Sequence, residues 1–367
     1  MNMDLIRYAN RLLRNTRPFL ADDEICAVFC TGDLLEIGFL SKCCRNDLSG
    51  SCIMCDYGIA AHCSNTIDQY IYEMLKIINR FETGKKYLLI CSNGSILDEY
   101  QVSTELLTAI LQESQKCSIP HIIIETHFKD VTKQRLDLIK SIIQKPVDIE
   151  MGLETINTKY QKMLFMKGID INRYTDTINL IKEYGFDVEL NIMLGLPFLS
   201  VNEQIKDTQQ SINWAISHNC TPIIFPINIK PHTMLRYIYD KKLYEPISLW
   251  EVICLLDNLD HIALSRILIA WYGNRDEPYP NDLPTLFPRT CCKCHDMLIR
   301  FFRDFLDVDD FSVRKNLINK LKNSTKCNCY QDTVEKISMS NDSFDREFKL
   351  FYDLLEMDYG NSQSARK

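Results

Sequence analysis

Four cysteines lie within one short segment, CCRNDLSGSCIMCDYG, at residues 43 to 58. Cys44, Cys52 and Cys55 have the spacing C-x7-C-x2-C, and a Ser-Gly-Ser turn between them lets three thiolates converge. A structural zinc ion takes four ligands, whereas an iron–sulfur cube held by three cysteines keeps one iron open to another ligand. The spacing favours an iron–sulfur site. A zinc site completed by Cys43, or a set of buried small side chains, is the alternative.

A second cysteine group follows near the end of the sequence, in CCKCH and KCNCY. Its C-x2-C and C-x-C pairs supply four soft ligands, which suits a closed tetrahedral zinc site, and an auxiliary iron–sulfur cluster is the competing interpretation. Cys292 or His295 is able to replace a member of the first pair. We expect a structural zinc that ties the C-terminal segment to the rest of the fold, held by Cys291, Cys294, Cys327 and Cys329.

Composition limits the class of protein. The chain has 367 residues, 46% hydrophobic and 25% charged, which is typical of a globular protein. Sixteen unevenly clustered cysteines favour metal or redox chemistry over a disulfide scaffold. A net charge of −7 argues against a wide nucleic-acid surface. We find no secretory signal pattern and no uncharged apolar run long enough to span a bilayer, so we expect a cytoplasmic protein with no membrane partner.

Short β-rich runs alternate with amphipathic helical stretches along most of the chain. The runs are LLEIGFL, KYLLICS, HIIIET, PVDIEMGL, FDVELNIML and TPIIFPINI. Six βα units predict an α/β fold, a partial (βα)6 barrel of the TIM type, in which loops at the carboxyl ends of the strands carry the chemistry. The first cysteine group follows the first of these strands. We expect an N-terminal helical extension at 1–32, the barrel at 33–230 and a small cysteine-rich C-terminal extension at 231–367.

Three motifs together resemble the radical S-adenosylmethionine (SAM) superfamily. They are the cysteine loop ending Met-Cys-x-Tyr, Gly-Ser-x-x-Asp after the next strand, and Gly-Leu-Glu-Thr further on. The C-x7-C-x2-C spacing departs from the usual C-x3-C-x2-C of that superfamily. This spacing, followed by the other two motifs, is similar to the branch that contains the Elongator catalytic subunit and the radical subunit of archaeosine synthase. The similarity runs from about Leu35 to about Cys329. We expect no acetyltransferase domain of the Elongator kind after residue 330.

The resemblance implies a role for individual residues. Cys44, Cys52 and Cys55 would hold a four-iron four-sulfur (4Fe-4S) cluster, and Met54 would contact the adenine of SAM. The glycine-rich turn after the second strand would meet the methionine amino group, and Lys167 stands where relatives often have an arginine that pairs with the methionine carboxylate. The remaining implied cofactor contacts are Asn93, Gly94, Ser95, Glu125, Glu154 and Asn191.

The resemblance also implies a reaction. A reduced flavodoxin or ferredoxin would deliver an electron, SAM would be cleaved to a 5′-deoxyadenosyl radical, and the radical would take hydrogen from a substrate. The first substrate expectation is C–N bond cleavage in a lysine-modified 7-deazaguanine of tRNA. A small molecule or peptide suits the acidic net charge as well, and a non-catalytic zinc-bearing RNA-interaction protein is the alternative from another class. Arg7, Arg11 and Arg14, on one helical face, are interpreted as a solvated surface or a phosphate contact.

Overall fold

The computed structural model describes most of the chain. It covers residues 2–16, 25–42, 44–45, 49–55, 65–168, 170–270, 272–273, 284–324 and 327–364, with side chains to residue 360. Cys43, the predicted alternative ligand of the first cysteine group, and Tyr57 of the Met-Cys-x-Tyr motif lie outside the described residues.

One sheet of eight strands forms the centre of the protein. Its strands are hydrogen-bonded in sequence order; β1 and β2 pair antiparallel and every later pair is parallel. This sheet confirms the predicted α/β partial barrel. The bounds are β1 Cys26–Thr31, β2 Leu34–Phe39, β3 Tyr87–Ser92, β4 His121–Thr126, β5 Val147–Glu154, β6 Asp187–Leu194, β7 Thr221–Pro226 and β8 Leu268–Ile269.

Helices connect the parallel strands close to the positions that periodicity predicts. Thr66 and Ser200 each form a capping box, which fixes the start of the helix that follows. The helices of the barrel are Ile67–Phe81, Thr104–Lys116, Lys133–Ile142, Ile171–Glu183 and Val201–Ser217. The other α-helices of six residues or more in the described part of the chain are Met3–Arg14, Met234–Asp240, Leu249–Asp257, His261–Arg266, His295–Leu306, Phe311–Asn323, Cys329–Met339 and Phe344–Ser364.

The sheet extends past the predicted barrel limits of 33–230 at both ends. β1 joins β2 through a tight turn in which Gly32 has a φ of +47°, so the first strand of the sheet is an antiparallel edge. β8 adds two residues beside β7. The segment after residue 230 is therefore not only an appendage, because it also contributes a strand to the barrel.

Two large apolar cores and one small cluster, of Leu89, Cys91 and Ile123, stabilise the part of the chain that the structure describes. The larger lies between the sheet and its surrounding helices. The second forms over the carboxyl ends of the strands, where the Met3–Arg14 and Phe344–Ser364 helices pack on each other and on the cysteine loop. Phe348 and Phe351 of the last helix contact Phe198, with ring centroids 5.4 and 5.1 Å apart. The phenylalanines of the last helix thus attach it to the segment after β6. Across the described residues, none of the helices combines the length and apolar character that crossing a bilayer requires.

Candidate active site

A cavity of about 350 Å³ opens at the carboxyl ends of β2 to β7. In a parallel sheet these ends meet at one edge, so loops that are distant in sequence face each other there. The cavity brings together most of the residues that the sequence resemblance singles out. Those that line it are Cys44, Cys52, Met54, Cys55, Gly94, Ser95, Glu125, Glu154, Lys167 and Asn191.

The cysteine loop is held against a π-helical segment, Gln161–Phe165, that follows β5. The backbone N–H of Cys52 donates to Phe165 O at 2.8 Å, and that of Ile53 donates to Leu164 O at 3.1 Å. Cys52 has a φ of +59°, which is rare for a side chain other than glycine. These contacts fix a strained turn whose thiol faces the cavity, and strain of this kind is common at functional sites.

The N-terminal helix also holds the cysteine loop. The Arg14 guanidinium donates to the carbonyls of Ser51 and Cys52, both at 2.7 Å, and Asn10 Nδ2 donates to Gly50 O at 3.0 Å. A Cβ on Gly50 would lie 2.3 Å from Arg7 O, so only glycine allows this close approach. Arg14 is 8% exposed. Its predicted place on a solvated surface is therefore wrong, because loop carbonyls rather than water satisfy it.

The loop after β3 is ordered by its own side chains. Asn93, an implied cofactor contact, is not among the described residues that line the cavity; its Oδ1 accepts from Ser41 N at 3.3 Å after β2. A Cβ on Gly94 would lie 2.3 Å from Gln101 Oε1. The Ser95 hydroxyl is 2.7 Å from Thr126 Oγ1, and its oxygen accepts from the backbone N–H of His127, just after β4. Ser95 therefore joins the ends of β3 and β4.

Asp98, the last residue of the Gly-Ser-x-x-Asp motif, ties this loop to the first cysteine. Arg45, next to Cys44, donates its Nε to Asp98 Oδ2 at 2.8 Å, and Gln101 Nε2 donates to the same oxygen at 3.1 Å. Burial opposes ionisation, but these two hydrogen bonds hold the pKa of Asp98 below its usual value. The aspartate of the motif thus positions Cys44.

Glu154 and Lys167 form an ion pair beside the cysteines. Lys167 Nζ donates to Glu154 Oε1 at 2.7 Å, and both side chains are largely buried. Burial opposes the charge on Lys167, yet the neighbouring Cys52 and Glu154 hold its pKa well above the usual value. Burial likewise raises the pKa of the Cys52 thiol to about 12, although Lys167 opposes this. Glu154 has a φ of +66° at a bulge in β5, and its Oε2 is buried without a hydrogen-bond partner among the described residues.

A row of carboxyl groups crosses three neighbouring strands, and the sequence analysis singled out only Glu125 among them. Glu125, Glu150 and Glu189 are register neighbours on β4, β5 and β6. Burial, strengthened by the acidic neighbours, raises the pKa of Glu150 and of Glu189 to about 8 and that of Glu125 well above its usual value. Asn191 Nδ2 donates to Glu150 Oε1 at 2.8 Å. Of the three, Glu125 lines the cavity, so one carboxyl group with a raised pKa faces the site.

His127, at the end of β4, also lines the cavity. Burial, together with the charges of Lys167 and Lys129, lowers its pKa to about 3, so the imidazole stays neutral. The sequence gives no sign of this environment, which depends on burial and on Lys167, a residue that the fold brings near.

The second cysteine group forms a compact cluster away from the cavity. The Sγ atoms of its four members lie within 4.8 Å of one another, and those of Cys291 and Cys327 are 3.9 Å apart. Thiolates bound tetrahedrally to one zinc ion at about 2.3 Å lie about 3.8 Å apart, which is close to the Cys291–Cys327 separation, so the cluster suits a single ion. Burial opposes ionisation, but hydrogen bonds from Cys294 and Cys329 lower the pKa of Cys291 to about 7. This is the pairing of Cys291 and Cys294 with Cys327 and Cys329 that the sequence predicts.

The first cysteine loop has the donor chemistry that a larger metal group needs. In the part of the chain that the structure describes, Cys44, Cys52 and Cys55 do not form a cluster as tight as that of the second cysteine group, and a metal group larger than one ion does not need so close a spacing. Two buried acceptors in the same cavity, Glu154 Oε2 and Asn191 Oδ1, have no hydrogen-bond partner among the described residues. Three thiolates are soft ligands that fit an iron–sulfur cluster. The unpaired acceptors beside them fit a cosubstrate that offers several hydrogen-bond donors.

Comparison with known proteins finds a family match within the chain and relatives that are similar to it. Residues 40–210 match the family described as "Radical SAM superfamily". Archaeosine synthase subunit beta of Methanosarcina acetivorans is 28% identical over 228 residues, which cover 60% of this chain and 65%, just under two thirds, of that relative. The protein of the same name from Thermococcus kodakarensis is 25% identical over 282 residues, covering 75% of this chain and 85% of that one. A solved structure of a queuine lyase from Clostridium spiroforme, bound to SAM and queuine, has a TM-score of 0.40 and 18% identity, covering 55% and 79% of the two chains.

Proposed function

We propose that this chain cleaves SAM reductively and removes a hydrogen atom from a substrate in the cavity, as an enzyme of the radical SAM superfamily whose domain it carries. The superfamily uses a 4Fe-4S cluster and SAM. The observation that carries the proposal is the meeting of Cys44, Cys52 and Cys55 with the Glu154–Lys167 pair at one edge of the sheet.

Each cofactor-facing residue has a proposed task. Cys44, Cys52 and Cys55 hold the cluster, which when bound supplies the electron that splits SAM into methionine and a 5′-deoxyadenosyl radical. Lys167 binds the methionine carboxylate as a point charge. Met54 packs against the adenine.

The other polar groups orient the cosubstrate. The Gly94 turn offers backbone carbonyls to the methionine amino group, because only glycine permits so close an approach. The unpaired Glu154 Oε2 accepts a hydrogen bond from a ribose hydroxyl or the amino group, and Glu125 and Asn191 Oδ1 are further acceptors. Exclusion of water from this half-buried cavity protects the radical from side reactions.

The substrate that we propose is a lysine-modified 7-deazaguanine in tRNA, in which a C–N bond is cleaved. Support comes from two relatives, both named archaeosine synthase subunit beta. A reduced flavodoxin or ferredoxin is the proposed electron donor, because cleavage of a sulfonium needs a low-potential electron. We propose zinc for the second cysteine group, because four thiolates at single-ion spacing suit a closed tetrahedral site.

Product analysis after anaerobic reconstitution tests the enzyme class. With dithionite and SAM, the wild-type protein should bind roughly four irons at the first loop and release 5′-deoxyadenosine. Cys52→Ala should lose both the iron and the product, because one of three ligands is gone. Cys30→Ala, at an exposed cysteine of β1, is the matched control and should change neither. Full iron in Cys52→Ala would show that the ligands are misassigned.

Nucleoside mass spectrometry tests the substrate. Purified tRNA that carries the lysine-modified base should lose its C–N bond only with reduced enzyme and SAM. Release of 5′-deoxyadenosine without any change in the tRNA would leave the enzyme class intact and refute this substrate, in favour of a small molecule or peptide.

A further inference from the structure

Asn228, just after β7, is a buried amide whose hydrogen-bonding groups are unused. It is 7% exposed and lines the cavity. Both its Nδ2 and its Oδ1 lack a hydrogen-bond partner among the described residues. Buried side-chain amides are nearly always paired, because leaving them unpaired is costly. A ligand in the cavity that offers both an acceptor and a donor would satisfy this amide.

The backbone on both sides of Asn228 is fixed. Ile227 N donates to Leu194 O at 2.9 Å, which joins the chain to the end of β6. Ile229 exchanges two hydrogen bonds with Leu286, at 2.9 and 3.0 Å. Asn228 therefore projects from a braced segment, and the direction of its amide is set before a ligand arrives. A fixed polar group of this kind is suited to recognition, since little conformational freedom is lost on binding.

The wall that carries Asn228 is distinct from the proposed cofactor contacts. Those contacts come from the loops after β2, β3 and β5 and from Glu125, Glu154 and Asn191 on β4, β5 and β6. None of them lies on β7. Beside Asn228, Met193 and Phe225 are register partners on β6 and β7, and both line the cavity. An apolar face next to an amide edge is the arrangement by which proteins hold a base taken out of its stack.

We propose that Asn228 determines substrate specificity by pairing with the edge of a guanine-type base, with Met193 and Phe225 against the face of the ring. The proposal rests on the proposed function, because it names the part of the tRNA substrate that enters the cavity. A guanine-type edge presents two N–H donors beside a carbonyl acceptor. The amide oxygen accepts from an N–H and the amide nitrogen donates to the carbonyl.

An adenine edge, such as that of SAM, is also complementary to an amide, and one substitution separates the two. In Asn228→Asp the carboxylate only accepts. It still pairs with the two N–H groups of a guanine-type edge, but it has no donor for the ring nitrogen of adenine. Retained base binding in Asn228→Asp therefore identifies the guanine-type edge.

Equilibrium dialysis of free 7-deazaguanine against reconstituted holoenzyme, saturated with SAM and kept without reductant, tests the proposal. Wild-type protein should bind the base saturably. Asn228→Ala should weaken binding about tenfold or more, because two hydrogen bonds are lost, and Asn228→Asp should bind more tightly than Asn228→Ala. The Kd of SAM should be unchanged in both. Asn172→Ala, at an exposed asparagine of a barrel helix, is the control and should bind as wild type.

Three results would overturn the inference: no saturable binding of the base by wild-type protein, an unchanged affinity in Asn228→Ala, or a raised Kd of SAM in Asn228→Ala, which would assign the amide to the cofactor's adenine. Failure of this inference and failure of the proposed function give different results. Base binding through Asn228 without conversion of the tRNA would refute the substrate alone, and conversion of the tRNA with wild-type base affinity in Asn228→Ala would refute the inference alone.

Discussion

Removal of the Arg14 guanidinium should loosen the cysteine loop. In Arg14→Ala, the carbonyls of Ser51 and Cys52 lose hydrogen bonds of 2.7 Å from a charged donor. A hydrogen bond to a charged group contributes about 1.5–3 kcal/mol, so the two together contribute about 3–6 kcal/mol. The carbonyls gain partial access to water once the side chain is removed, which reduces the loss to about 2–4 kcal/mol. That loss shifts the equilibrium between ordered and disordered loop by roughly 30- to 800-fold.

Iron retention reports this equilibrium, because the cluster is lost from the disordered loop. Anaerobically reconstituted Arg14→Ala should release iron to a chelator much faster than wild type. Arg14→Lys should lie between the two, since an ammonium can reach one carbonyl but does not reproduce the planar fork. Arg11→Ala, exposed on the same helix, is the matched control and should release iron at the wild-type rate.

The reasoning is refuted if Arg14→Ala keeps its iron as long as Arg11→Ala does while both remain folded by circular dichroism. Asn10 would then be sufficient to hold the loop through its hydrogen bond to Gly50. Faster release in Arg11→Ala as well would point to a general weakening of the helix rather than to the two carbonyls.

Three further predictions concern the second metal site, the cosubstrate and the response to acid. The double change Cys327→Ala with Cys329→Ala should remove about one zinc and leave the cluster iron, by metal analysis; a loss of roughly four irons with no zinc would identify a second iron–sulfur cluster. Lys167→Met should raise the Kd of SAM about ten- to hundredfold with unchanged iron, and an unaltered Kd would remove Lys167 from the site. Burial opposes ionisation of Asp257, but hydrogen bonds from two lysines hold its pKa below the usual value. The ionised side chain therefore contributes to stability above about pH 4, and this contribution is lost as the pH falls through the lower pKa of the folded state. Asp257→Asn should therefore be less stable than wild type by about 1 kcal/mol in urea at pH 7 and similar at pH 2, and an equal deficit at both would contradict the ion pairing.

Local patterns were sufficient to predict the barrel. Apolar runs such as HIIIET alternate with helices that begin at Ser or Thr caps. This alternation predicts a parallel sheet covered by helices, because a buried parallel sheet needs helices on its outer face. The β1 edge and the two-residue β8 were not predicted. Strands this short or this exposed have no periodicity of their own and form only because a neighbouring strand offers unpaired hydrogen-bonding groups.

The candidate site was predictable where chemistry depends on spacing. Three cysteines on one loop, and two cysteine pairs with ligand spacing, indicate metal chemistry without knowledge of the fold. Glu150, Glu189 and His127 carried no such signal, because an isolated carboxylate or imidazole in a strand reads as an ordinary polar residue. Their raised or lowered pKa values arise from burial beside other charged groups.

By itself, the sequence determined the order of the six strands β2 to β7 and of the helices between them, the two cysteine groups and the resemblance to radical SAM enzymes. Each of these depends on residues close together in the chain. Only the tertiary structure decided that Arg14 braces the cysteine loop across 38 positions to Cys52 and that Asn228 faces the cavity with its amide unpaired. The physical reason is that hydrogen-bond satisfaction and desolvation depend on neighbours in space, and those neighbours are set when β2 to β7 bring their carboxyl ends to one edge.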